Sequence, residues 1–162
     1  MNDETENGTV PGTAAAVENL KAQATALAPS LTGTRSVSGW TGVAQVGAEL
    51  VVEQPVEGSD AAIAARAGAG EVQMVPLADR SAASIQAAFA AAATTDPDEA
   101  GALARLAGTI AEFLATHGTT AVHVFTATAP TRRQAGIGID LGEGAGSVLI
   151  YRRLTALTAD SR

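Results

Sequence analysis

A short basic segment between two apolar runs carries the side chains best suited to binding an anion. Residues 126–134 read Thr-Ala-Thr-Ala-Pro-Thr-Arg-Arg-Gln. If a helix begins at Pro130, its free backbone N–H groups favour an anion, and an arginine can grip a phosphate with two parallel hydrogen bonds. The alternative is a capped surface helix with two solvated arginines. We predict a ligand-binding site made by the hydroxyl, proline, guanidinium and amide residues of this segment: Thr126, Thr128, Pro130, Thr131, Arg132, Arg133 and Gln134.

A catalytic or metal-binding imidazole would have to come from one of two histidines, and the chain has no cysteine. His123 lies in an apolar run, where a core histidine with a hydrogen-bonded ring is the simplest interpretation. His117 falls in the last turn of a predicted helix, where its charge would complement the helix dipole. The two histidines lack the spacing of metal ligands. The evident acid/base candidates are His123, Asp79 and Asp140. We predict a non-catalytic protein without a metal or cofactor.

The glycine-rich stretch at residues 136–146 has two functional interpretations, and we favour neither. A dinucleotide-binding loop should follow a strand and open a helix, whereas these glycines follow the predicted helix start. The sequence Gly-Ile-Asp-Leu-Gly also occurs in the phosphate turn of actin and sugar-kinase ATPases, but only 20 residues follow Gly142. We interpret the stretch as a helix that ends near Leu141, followed by a loop.

The clearest element that could position these residues is a long helix. It starts at the N-cap Asp96 and at Pro97 and ends at His117. One apolar stripe along it should be buried: Leu103, Leu106, Ile110 and Phe113. Further helices are predicted at 14–27, 61–67, 81–93 and 130–141, and strands at 48–53, 71–77, 120–126 and 147–151.

This alternation predicts an α/β fold, a Rossmann-like three-layer sandwich with a mostly parallel sheet of about four or five strands. We expect residues 121–125 to form a central strand, paired in parallel with residues 148–151 through a right-handed crossover. Ligands of such sheets bind beyond the carboxyl ends of the strands. The predicted anion site lies at that place.

Composition and charge set the broad class. The chain is 46% hydrophobic with a net charge of -7, which argues against binding long nucleic acids. No apolar run is long enough to span a membrane, and the start lacks signal-peptide character, so we expect a cytoplasmic protein. From Pro130 onward the sequence contains five arginines and three acidic residues, so the excess of positive charge lies next to the predicted site.

Four segments are expected along the chain. Residues 1–13 are predicted to be a disordered acidic tail. Residues 14–46 hold a helix and a Gly-, Ser- and Thr-rich connection, either a linker or a loop fixed by Trp40. Residues 47–154 form the α/β domain, and residues 155–162 are expected to fray.

Several short matches, taken in order, resemble the end of a SAVED domain. They are the strand Ala-Val-His-Val-Phe at 121–125, Ala129-Pro130 at the next turn, Gly138, Leu141, and the closing Val-Leu-Ile-Tyr at 148–151. The helix at 100–113 and the strand at 71–77 also fit, so the resemblance covers residues 48–151. The chain departs from the family at residues 131–134, where a more apolar sequence is expected.

SAVED domains are nucleotide sensors of bacterial anti-phage (CBASS) systems and consist of two Rossmann-like halves related to the CARF fold. The resemblance implies that this chain, with room for one half, binds a cyclic oligonucleotide and signals to an effector protein. A single half would have to form a homodimer to build a two-sided pocket. Two alternatives stay open: a non-catalytic interaction subunit whose pocket has decayed, and a small enzyme acting on a phosphorylated metabolite.

Overall fold

The computed structural model describes residues 13–68, 70–117, 121–142 and 144–157. Of the tails expected at residues 1–13 and 155–162, residues 1–12 and 158–162 lie outside this range. So do Gly118, which directly follows the expected helix end at His117, and Thr120, which should begin the following strand.

The described chain contains six strands in one sheet, and every neighbouring pair is antiparallel. The strands are β1 (Gly33–Ser36), β2 (Gln45–Glu53), β3 (Glu71–Pro76), β4 (Val122–Ala129), β5 (Arg132–Asp140) and β6 (Ser147–Ala156). Their order is β1-β2-β6-β5-β4-β3. The expectation of a Rossmann-like, mostly parallel sheet is therefore wrong. The expected parallel pairing of residues 121–125 with 148–151 is also wrong, because β5 lies between β4 and β6.

The helix expected at residues 130–141 is strand β5 instead. Pro130 and Thr131 connect β4 to β5 as a hairpin, since Ala129 pairs with Arg132. Along β5, Ala135, Ile137 and Ile139 are buried on one face of the sheet. Apolar residues spaced two apart are typical of a strand, and interleaved glycines disfavour a helix. The hairpin abolishes the strand-to-helix turn on which the predicted anion site depended.

Four α-helices accompany the sheet: α1 (Thr13–Leu27), α2 (Ser59–Ala67), α3 (Ala82–Ala87) and α4 (Pro97–His117). Short 3-10 turns occupy Ala28–Leu31 and Ala90–Ala92. The long helix α4 is confirmed, and its expected stripe of Leu103, Leu106, Ile110 and Phe113 is buried. Helix α3 is shorter than expected, because the Ala-rich run at 81–93 breaks after Ala87.

Helices cover both faces of the sheet. The larger core lies between the sheet and helices α1, α3 and α4; from the sheet it includes Val122, Ile137, Ile139, Val148 and Ile150. On the opposite face α2 buries Ile63 against Phe125, Leu149 and Tyr151. A third cluster forms around Trp40, which is 8% exposed. The segment expected to be a linker or a fixed loop thus contains β1 and a buried tryptophan.

Strand β6 continues beyond its expected end at Tyr151, through the buried Arg152 to Ala156. Residues 155 and 156, which were expected to fray, are therefore paired strand residues. None of the helices in the described ranges combines the length and apolar character needed to cross a bilayer.

Candidate functional site

The residues of the predicted anion site are distributed around the β4–β5 hairpin. Side chains of successive strand residues point to opposite faces of a sheet, so Arg132 and Arg133 lie on different faces. Thr126 is half-buried within β4, Thr128 is exposed, and Pro130 and Thr131 occupy the exposed turn. The structure does not bring the seven residues into one pocket.

Arg132 and Gln134 contact the end of helix α2. The Arg132 guanidinium donates to the carbonyl oxygen of Ala67 at 3.4 Å, and the Gln134 amide donates to that of Arg66 at 3.3 Å. These carbonyl groups lie in the last turn of the helix, where no further helical N–H is present to bond them. The two side chains therefore act as C-terminal capping groups.

Arg133 contacts Trp40 on the other face. Its guanidinium carbon lies 4.4 Å from the centre of the indole ring, and one guanidinium nitrogen donates to the carbonyl oxygen of Gly39 at 3.4 Å. This is cation–π geometry. Arg133 thus fixes the loop between β1 and β2 to the hairpin, and its guanidinium group is already engaged by Trp40 and Gly39.

The N-terminal end of α2 is held by a Ser–His–Asp cluster. Asp140, at the end of β5, accepts hydrogen bonds from the Ser59 backbone N–H at 2.7 Å and from the Ser59 hydroxyl at 2.9 Å. The same hydroxyl lies 2.6 Å from Nδ1 of His123. Because one hydroxyl donates only one hydrogen bond, donation to Asp140 leaves His123 Nδ1–H as the donor to Ser59.

This cluster has the residue types of a hydrolase triad but a different order. In a triad the histidine stands between the serine and the carboxylate, whereas here Ser59 stands between His123 and Asp140. Ser59 is fully buried, so its hydroxyl cannot reach a substrate. The structure does bring together two of the acid/base candidates, His123 and Asp140, but as groups that anchor a helix.

A buried ionic network links β6, β1 and the start of α4. Arg152 is fully buried and forms an ion pair with Glu99. It also donates to the carbonyl oxygens of Leu31 and Ala92, both at 3.1 Å. Glu99 accepts further hydrogen bonds from Thr94 and, at 2.7 Å, from Arg35. Burial lowers the pKa of the Arg152 guanidinium, and the Glu99 carboxylate opposes that effect.

Next to this network lies a groove between α3 and α4, which we call the α3–α4 groove. Its volume is about 410 Å³. The apolar part is formed by Phe89, Leu103 and several alanines, and the polar part by Gln86, Thr94, Asp96 and Glu99; the alanines are Ala83, Ala87, Ala90, Ala93 and Ala100. An apolar concavity with a few polar groups is the usual form of a small-molecule site.

The charged residues that line the groove are acidic. Asp96 and Glu99 both line it, and none of the lining residues within the described part of the chain is basic. Asp96 is the accessible carboxylate, with 30% of its side chain exposed against 2% for Glu99. Its Oδ1 accepts from the Asp98 N–H at 2.9 Å, and its Oδ2 lies 3.1 Å from Arg35 Nε. Because each carboxylate oxygen has two lone-pair positions, Asp96 can accept further hydrogen bonds.

Sequence reasoning identified Asp96 as the start of a helix but missed the groove. The available signal was the spacing of Ala83 and Ala87 in α3, beside α4. Residues four apart share one face of a helix, and alanines on that face leave space that larger side chains would fill.

No family model, curated protein sequence or solved structure matches the chain.

Proposed function

We propose that this chain is a non-catalytic binding module whose α3–α4 groove holds a small cationic amphiphile. The ligand has an apolar body and an ammonium or similar donor group. The observation that carries the proposal is the combination, in one groove, of an apolar lining with two carboxylates and no basic side chain among the described lining residues.

The size and lining of the groove suit the apolar body of such a ligand. A volume of about 410 Å³ lies within the roughly 300–1,000 Å³ that small-molecule pockets occupy. Phe89 is fully buried and Leu103 nearly so, which supports a preformed floor. The alanines contribute methyl groups alone, so they restrict the shape of the ligand less than branched side chains would.

The charge of the groove selects the head group. A donor placed near Asp96 meets a carboxylate that has free accepting capacity, and charge-assisted hydrogen bonds are stronger than neutral ones. The net charge of -7 adds a long-range attraction for cations. An anionic head group would find no basic partner among the described lining residues, since Arg35 and Arg152 already pair with Asp96 and Glu99.

Cyclic-oligonucleotide sensing with an effector partner stays a prediction that rests on the sequence resemblance. In this fold Arg132 is bonded to Ala67 and Arg133 is stacked on Trp40. A phosphate at the hairpin would have to compete with both contacts. Cyclic nucleotides are therefore the comparison ligands in a thermal-shift experiment.

A thermal-shift panel separates these ligand classes. The full chain is heated with octylammonium, octanol, octanoate, or cyclic di- and trinucleotides. A ligand of the native state stabilises by RT ln(1 + [L]/Kd), about 2.7 kcal/mol at a hundredfold excess over Kd. We expect octylammonium to raise the melting temperature most and octanoate least. A rise with cyclic nucleotides alone would contradict the groove proposal and favour nucleotide sensing.

A further inference from the structure

Strand β3 forms an open edge of the sheet. It pairs with β4 on one side, and no described strand pairs with its other side. Val72 and Val75 are 40% and 54% exposed, and they are among the few large apolar side chains on the described surface. Exposed edges of this kind invite pairing with another strand, and natural proteins usually protect them with charged side chains, prolines, bulges or covering elements. The sequence of β3, Glu-Val-Gln-Met-Val-Pro, contains no lysine, and its charged residue and its proline are confined to its two ends.

The residues that offer free backbone groups can be deduced from the register with β4. The N–H of Leu77 donates to the carbonyl oxygen of Val122. Backbone groups alternate in direction along an antiparallel strand, so Gln73 and Val75, like Leu77, bond to β4. Val72 and Met74 therefore direct their N–H and C=O groups outward. Pro76 also lies at an outward position, where its lack of an N–H costs no hydrogen bond within the sheet.

We propose that two copies of this chain pair antiparallel along their β3 edges, with Gln73 on the two-fold axis. In this register Val72 of one copy faces Met74 of the other, and each such pair exchanges both of its backbone hydrogen bonds. Shifting the register so that Met74 faces Met74 would place Val72 opposite Pro76. The proline has no N–H for the Val72 carbonyl group, so that register leaves acceptors without partners.

The side chains support a second copy as the occupant. Residues directly opposite each other in an antiparallel pair point to the same face. Val72 therefore packs against Met74 of the other copy on the α2 face, and the Gln73 amides meet across the axis on the other face. Glu71, the one charged residue of β3, lies opposite Val75, so like charges are not brought directly opposite each other. The edge is thus self-complementary in backbone, apolar contact and charge.

This interface is independent of the α3–α4 groove, because no residue of β3 lines that groove. A contact restricted to one strand from each copy belongs to the small, weak class of interfaces. We expect a concentration-dependent dimer, formed between micromolar and millimolar protein.

Single-cysteine variants test the register directly, because the natural sequence contains no cysteine. Across the axis the two Gln73 Cα atoms would be about 4.5 Å apart, the spacing of a non-hydrogen-bonded pair and within the range of a disulfide. Glu71→Cys is the matched control, since its two copies would be separated by about 13 Å along the strands. Both positions are exposed, so collisional cross-linking should be similar.

In a glutathione redox buffer we expect Gln73→Cys to form roughly tenfold more disulfide dimer than Glu71→Cys, because pairing raises the effective concentration of the thiols. Sedimentation of the wild-type chain should show a dimer that Val72→Lys weakens. Equal cross-linking of the two cysteine variants would overturn the proposal, as would a wild-type chain that stays monomeric at millimolar concentration.

Discussion

Arg132 reaches from the start of β5 to the end of α2, where its guanidinium donates to the carbonyl oxygen of Ala67 at 3.4 Å. At the other end of the same strand, Asp140 accepts from the Ser59 backbone N–H at 2.7 Å. Helix α2 therefore runs antiparallel to β5, with an acidic group at its N-terminus and a basic group at its C-terminus. Both placements are favourable to the helix dipole.

Removing the Arg132 contact should lower stability. We expect Arg132→Ala to reduce the free energy of unfolding by about 0.5–1.5 kcal/mol, the net value of a typical hydrogen bond. Urea unfolding measures the change. Arg105→Ala, at an exposed position of α4, is the control and should change stability little. Equal effects of the two substitutions would show that the Ala67 contact does not stabilise α2.

Glu99 should be far more important for stability than its place in the first turn of a helix suggests. Glu99→Leu leaves the fully buried Arg152 without its carboxylate, and breaking a buried ion pair costs about 3–5 kcal/mol. Urea unfolding again measures the change in the free energy of unfolding. Glu112→Leu, at an exposed site on the same helix, should stay within about 0.5 kcal/mol of the wild type. A Glu99→Leu variant as stable as that control would refute the structural role of the network.

The buried apolar stripe of α4 should contribute strongly to the free energy of unfolding. Leu106 is fully buried, and Leu106→Ala should cost about 2–5 kcal/mol through lost burial and a residual cavity. A cost well below this range in chemical denaturation would mean that α4 does not pack as observed.

Tyr151 should make stability fall at alkaline pH. Burial raises the pKa of its phenol, and the Glu53 carboxylate raises it further. Because the folded pKa lies above the unfolded one, the stabilisation is complete below about pH 10, the ordinary tyrosine value, and is lost as the pH rises through the folded pKa. We expect Tyr151→Phe to flatten this alkaline decline.

The absorbance of the phenolate form reports the raised pKa of Tyr151 without any mutation, since Tyr151 is the single tyrosine in the sequence. The native chain should ionise at a higher pH than the chain in denaturant. Coincident titration curves would contradict the assigned burial effect.

The sequence predicted α4 well because its signals are local. Asp96 caps the helix through the Asp98 N–H, and the apolar stripe needs no knowledge of distant strands. The direction of strand pairing has no such local signal. Apolar runs at 121–126 and 147–151 fit parallel or antiparallel neighbours equally well, and the element between them decides the outcome.

That element was misinterpreted because Gly136 and Gly138 were assigned to a helix that begins at Pro130 and ends near Leu141. Gly138 lies against α2, where an added Cβ would come within 2.9 Å of the Ser59 Cβ. The close approach of helix and sheet therefore explains the glycine, which a single sequence cannot reveal. The α3–α4 groove was equally inaccessible, since it depends on how two helices pack.

Isothermal titration of octylammonium into the wild-type chain and four variants tests the binding proposal most directly. Ala100→Phe fills the groove and should abolish binding, whereas Ala115→Leu, at an exposed position of α4 outside it, should not. Asp96→Asn keeps a side chain that can still cap the helix but removes the charge. We expect Asp96→Asn to weaken octylammonium binding about tenfold or more and to leave octanol binding unchanged. Asp98→Asn, which removes the same charge at a residue outside the groove lining, is its matched control. Binding that is equally strong in the wild type, Ala100→Phe and Asp96→Asn would contradict the assignment of the α3–α4 groove as the ligand site.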